Sequence, residues 1–102
     1  MLNIEELTNI VATRDIKAIK KYVIKYPQAQ FVLSPIAAQV GRFDVLKWAR
    51  LNDLPINKMT VIGALMTDQQ FILEWLQNQF NLTYDNNDVI IALTNRKQIY
   101  GF

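Results

Sequence analysis

Gly41-Arg42-Phe43-Asp44-Val45-Leu46-Lys47-Trp48, preceded by Ala37-Ala38, returns in outline 27 residues later as Asp68-Gln69-Gln70-Phe71-Ile72-Leu73-Glu74-Trp75, preceded by Ala64-Leu65. Working outward with the same shift, the apolar positions of the chain fall onto themselves without a gap. Ala18, Val45, Ile72 and Ile99 form one column, Ile19, Leu46, Leu73 and Tyr100 the next, and Lys21, Trp48, Trp75 and Phe102 a third. Upstream, Ile10, Ala37, Ala64 and Ile91 align, followed by Val11, Ala38, Leu65 and Ala92. A fixed period marks stacked supersecondary units, each burying one face against its neighbours. The period divides the chain into units of about 1–27, 28–54, 55–81 and 82–102.

Each unit reads as a helical hairpin. Asn3 caps a helix over about Ile4–Ala12, with Glu6 completing a capping box, and Thr13-Arg14 turns into a second helix from Asp15 to about Lys25, ended by Pro27. The second unit places a helix over Phe31–Val40, or from Ser34 with Pro35 at its first position. Gly41-Arg42 is the turn, Phe43–Asn52 the second helix, and Leu54-Pro55 its close. Asn57 caps the next helix, which runs to Met66, turns at Thr67-Asp68 and continues to about Phe80. In the last unit Asp85 or Asn87 caps a helix through Leu93, and Asn95-Arg96 turns into a short segment ending at Phe102. The turn column Arg14, Gly41, Asp68, Asn95 contains three residues that tolerate turn geometry. No period-2 alternation is sustained, so the fold class is all-α: a helical-hairpin solenoid of about three and a half units.

The segment Gly41 to Trp48, followed by Asn52-Asp53-Leu54-Pro55-Ile56-Asn57, resembles the second-helix signature of ankyrin-type repeats. It is most similar to the short, degenerate kind found in large arrays in giant DNA viruses, amoebae and oomycetes. Ile72-Leu73-Glu74-Trp75-Leu76 keeps part of the motif, and Asp15-Ile16-Lys17-Ala18-Ile19-Lys20-Lys21-Tyr22 only its general form. The usual Thr-Pro-Leu-His tetrapeptide survives only as Ser34-Pro35-Ile36-Ala37, and a period of 27 is shorter than the family's usual 33, leaving no room for a projecting hairpin. The resemblance implies a protein-binding scaffold without activity of its own, a viral or effector-type adaptor or inhibitor of a host or cellular protein.

Composition narrows the chemistry. The 102 residues make one small domain, and 51% hydrophobic with 20% charged residues argues against disorder. The chain has no cysteine and no histidine, hence no disulfide, no thiolate nucleophile, and neither the usual general base nor the commonest metal ligand. No cofactor or metal is expected. Asp85-Asn86-Asn87-Asp88 looks superficially like a calcium loop but has Arg96 where the bidentate glutamate belongs, and is better read as a cap. No long apolar run or basic-then-apolar leader occurs, so no membrane partner and a cytoplasmic protein are expected.

The net charge of +2 is unevenly spread: residues 1–51 carry eight Lys/Arg and four Asp/Glu, residues 52–102 three and five. Arg14, Lys17, Lys20, Lys21 and Lys25 form a basic patch with Tyr22 and Tyr26 interleaved. Its readings are a solvated face, a dock for an acidic protein, or a nucleic-acid surface that grips phosphates and stacks bases. Trp48 and Trp75 read either as packing between hairpins or as interface hot spots. Repeat geometry puts the candidate partner-binding surface at Gln30, Gln39, Asn57, Met66 and Tyr84. The apolar end Ile99-Tyr100-Gly101-Phe102 has no polar cap, so self-association, a partner or further chain is expected to cover that edge. A non-catalytic protein-interaction module is therefore the expectation, with a small nucleic-acid-binding protein or a structural subunit of a larger assembly as alternatives.

Overall fold

Two turns 27 residues apart repeat bond for bond. In the computed structural model, which describes residues 1–101, Arg42 N donates to Ala37 O at 2.8 Å and Gln69 N to Ala64 O at 2.9 Å. Phe43 N donates to Gly41 O at 3.2 Å and Gln70 N to Asp68 O at 3.1 Å, and both turns pivot on a left-handed residue, Gly41 (φ 76°) and Asp68 (φ 55°). Such turns join α3 (Leu33–Gln39) to α4 (Phe43–Leu51) and α5 (Lys58–Met66) to α6 (Gln70–Phe80). The first hairpin, α1 (Ile4–Thr13) and α2 (Ile16–Lys25), turns differently: Arg14 is extended (φ −104°) and Asp15 caps α2 by accepting from Ala18 N. A 3-10 turn, Pro27–Phe31, leads into α3, and α7 (Asn86–Tyr100) ends the described chain. The described residues are thus all-helical.

Helices α1, α3, α5 and α7 pack side by side in chain order, and α2, α4 and α6 each pack on the first helix of their own hairpin. The resulting slab is 37 × 32 × 19 Å, its thin dimension that of two helix layers. Burial follows the sequence columns: Leu7, Ser34, Val61 and Asp88 are all buried, as are Ile19, Leu46 and Leu73. Ala37 and Ala64 are fully buried while their counterparts Ile10 and Ile91 are not, because only the inner units are covered on both sides. Each large aliphatic side chain withdrawn from water in these columns contributes about 1.5–3 kcal/mol. Gly63 in α5 marks the closest approach: a Cβ there would lie well inside contact distance of Pro35 O and 3.1 Å from Pro35 C.

Polar bonds tie each unit to the next. The Thr67 hydroxyl donates to Gln39 O at the end of α3 (2.6 Å), Arg50 to Gln79 Oε1 (2.8 Å), and Lys58 to both Asp88 Oδ2 (2.9 Å) and Thr83 O (2.7 Å). Arg42 Nη1 donates to Val11 O and Arg14 O, the open carbonyls at the end of α1, while Nε and Nη2 grip both oxygens of Asp44.

Three local expectations are corrected. Residues 27–31 form a 3-10 turn, so no α-helix begins at Phe31; α3 starts at Leu33, which puts Pro35 in a first turn whose N–H groups lack helical acceptors anyway. Glu6 N donates to Asn3 Oδ1, but only this half of the expected capping box is found among the described residues. The turn at Asn95-Arg96 is absent. Thr94, which occupies the column of Thr67, bonds back to Ile90 O of its own helix (2.9 Å) where Thr67 bonds across to Gln39 O, and α7 runs straight through. Asp85, not Asn87, is its cap, in a reciprocal box with Asp88 (3.1 and 3.0 Å), as the capping reading of that acidic run requires. Phe102, the third aromatic of its column, lies outside the described residues.

Candidate protein-binding grooves

The continuation of α7 helps to shape one concavity. An open groove of 1140 Å³ lies between α1 and α3 and is walled at one side by Ile99 and Tyr100. With Leu7 and Val11 turned into the core, α1 offers Ile4, Thr8 and Ala12 to the groove, and α3 offers Ile36 and Gln39, followed by Val40 at its C-cap. Gln39 Nε2 donates to the Tyr100 hydroxyl at 2.7 Å, holding the end of α7 against α3. Glu5 and Glu6 stand at the α1 end, and no Lys or Arg lines the groove. An apolar floor, scattered amide and hydroxyl groups and an acidic rim suit a macromolecular segment with apolar and cationic side chains.

The candidate contact residues do not form one surface. Gln39 lines this groove, but Gln30 is half-buried in the 3-10 turn and Asn57 is occupied as the α5 cap, accepting from Met59 N. Met66 is a correction: it is 4% exposed and packs with Ile62 on Ala92, because α7 lies over it. Tyr84 is exposed in the segment before α7. Sequence reasoning missed Ile4, Thr8 and Ala12. Their signal was the stripe left when the Leu7 and Val11 face is assigned to the core.

Of the basic patch, Arg14, Lys21 and Lys25 converge on a small groove of 270 Å³ between α1 and α2, floored by Ile10, Ala18 and Tyr22, while Lys17 and Lys20 are exposed elsewhere on α2. Tyr22 is 8% exposed, its ring 4.8 Å from that of Tyr26, over which Lys25 sits at 5.4 Å. The interleaved tyrosines therefore pack on each other, and Tyr22 is not available to stack on a base. Trp48 and Trp75 are half-buried against the core, and Trp75 meets Phe43 and Phe80 edge-on at 5.2 Å, so Trp75 packs α6 on α4 of the unit before it.

The perturbed titratable groups are structural. The Arg42 hydrogen bonds hold the Asp44 carboxyl below the usual carboxylate range, and Lys58, with the Asp85 backbone N–H, does the same for Asp88. No group of three or more acidic, histidine or cysteine side chains able to hold a metal occurs among the described residues, nor does a helix long and apolar enough to cross a membrane. Compared with protein-family models, curated proteins and solved structures, the chain matches none.

Proposed function

We propose that this chain is a short ankyrin-type helical-hairpin stack that acts as a non-catalytic protein-interaction module, an adaptor or inhibitor whose contact surface is the groove between α1, α3 and the end of α7. The observation that carries the reading is that groove itself: 1140 Å³, built by side chains of three helices, apolar at its floor and acidic at its rim. The repeated turn bonds and the column-wise burial support the hairpin-stack part of the reading. The test is capture from cell lysate with and without nuclease, using wild type, Ala12→Arg and Lys21→Glu. Ala12 is exposed in the groove, so Arg fills it without touching the core. A protein retained after nuclease by wild type and Lys21→Glu, but not by Ala12→Arg, supports the proposal. Retention unaffected by Ala12→Arg refutes this contact surface.

A second reading, polyanion binding by the first hairpin, is favoured by the convergence of Arg14, Lys21 and Lys25 on one groove. It requires binding that weakens steeply with salt and is lost in Lys21→Glu. Burial of Tyr22 removes half of the stacking surface that nucleic-acid binding would use.

A further inference from the structure

The outer side of the slab carries a different site. Between α4 and α6 a groove of 490 Å³ is lined by Phe43, Trp75, Leu51, Lys47, Arg50 and Gln79. Its floor is rigid, since Phe43 is held edge-on between Phe71 (4.9 Å) and Trp75 (5.2 Å). Leu51, which lines the groove, is apolar and 82% accessible. Both charged lining residues are cations standing over rings, Lys47 at 5.4 Å from Phe43 and Arg50 at 5.3 Å from Phe80. Neither is within ion-pair distance of a carboxylate among the described residues. Asp44, the natural partner of Lys47 one helical turn away, has both oxygens taken by Arg42. Glu74, on α6, is exposed but does not line the groove.

We propose that the α4–α6 groove is a docking site for an acidic amphipathic protein segment, which seats an apolar side chain on Phe43 and Trp75 and sets its carboxylates on Lys47 and Arg50. Aromatic, aliphatic and Arg side chains gathered round one hollow are the composition of interface hot spots, and two cations without acidic partners select the sign of the partner. An extended nucleic acid is disfavoured because the floor presents Phe43 and Trp75 edge-on to each other, leaving no parallel pair of faces on which successive bases stack. The site lies on a different pair of helices from the α1–α3 groove and does not depend on it.

The test is a titration followed at the indole N–H resonances of Trp75 and Trp48, paired with fluorescence anisotropy. The probe is a fluorescein-labelled peptide alternating Leu with Glu. The expected result is movement of the Trp75 indole signal with Trp48 unmoved, and binding at least about tenfold weaker for the same peptide with Lys in place of Glu or Ser in place of Leu. The doubly exposed variant Lys47→Glu/Arg50→Glu, checked for native helix content, loses the acidic peptide by a similar factor and accepts the Lys-containing one. No shift at Trp75, unchanged affinity in the variant, or an equal Trp75 shift from oligothymidylate overturns the proposal. None of these outcomes touches the Ala12→Arg test of the other groove.

Discussion

Gly63→Ala tests how closely α3 and α5 approach. At an ordinary helix interior this change stabilises by about 1 kcal/mol, because alanine has less backbone entropy to lose. Here the added methyl meets backbone and not a side chain that could swing away: Pro35 O lies well inside contact distance, Pro35 C at 3.1 Å and Gln39 N at 3.4 Å. Relief requires α3 and α5 to separate, loosening Leu33, Ile36 and Val61, which share one core cluster. Overpacking of a tight core costs about 1–3 kcal/mol, and immovable backbone places this site at the upper end. After the propensity gain, a net loss of about 2 kcal/mol remains, equivalent to roughly 8–16 °C in Tm for a domain of this size. Urea unfolding followed by tryptophan fluorescence measures it, with the slope unchanged. A midpoint equal to or above that of wild type would show that the two helices do not pack backbone to backbone, and would sink the account of the core given above.

Three further outcomes are expected. Gly41→Ala forces a side chain into φ 76° and onto the Gln69 amide at 3.1 Å, costing about 1–2 kcal/mol, and thermal unfolding by circular dichroism reads the loss. Tyr22→Phe and Ser34→Ala each remove a buried hydroxyl that has no hydrogen-bond partner among the described residues, so both leave the urea midpoint unchanged or raise it; a fall of about 1 kcal/mol or more would reveal a partner for that hydroxyl. The Asp88 carboxyl is held below its ordinary value of 3.8, first by the Lys58 hydrogen bond and then by the Asp85 N–H. Its stabilising effect is therefore full above that ordinary value and is lost as the pH falls below it through the lowered folded-state value. Asp88→Asn should flatten this acid limb of the stability–pH curve, and an unchanged limb would remove Asp88 from it.

Much of the helical order was legible because columns of Val, Leu, Ile and Ala at a constant shift carry their own register: the Gly41 and Asp68 turns, the Asn57 cap and the buried Ile19–Leu46–Leu73 column all lie where the period puts them. What was not legible depends on neighbours. Asn95 can make a turn, yet the turns form at Gly41 and Asp68, where an adjacent residue, Arg42 after the one and Thr67 before the other, grips the preceding unit, and Thr94 spends its hydroxyl on its own helix. That one difference extends α7 and brings Tyr100 to Gln39, whereas Met66 is covered by Ala92, in the part of α7 that precedes Asn95. Gly63 carried a readable signal, since a glycine inside a helical pattern asks for a reason, but the reason sits on Pro35 and is a tertiary fact. Of the basic patch, α2 periodicity found the cations but not the partition that leaves Lys17 and Lys20 off the groove.

Arg42 connects places far apart in the chain: its guanidinium holds the carbonyls of Val11 and Arg14 and, on its other side, Asp44 at the start of α4. A helix at one side of a stack ordinarily opens ahead of the inner ones, exchanging its amides faster than they do. With its last carbonyls fastened to the next hairpin, α1 cannot unwind from its C-terminal end without releasing a planar fork that lysine cannot imitate. Opening of the first hairpin is thereby made cooperative with the second, and hydrogen exchange near Val11 and Arg14 should track that of α4, while the amides around Ile4 fray on their own.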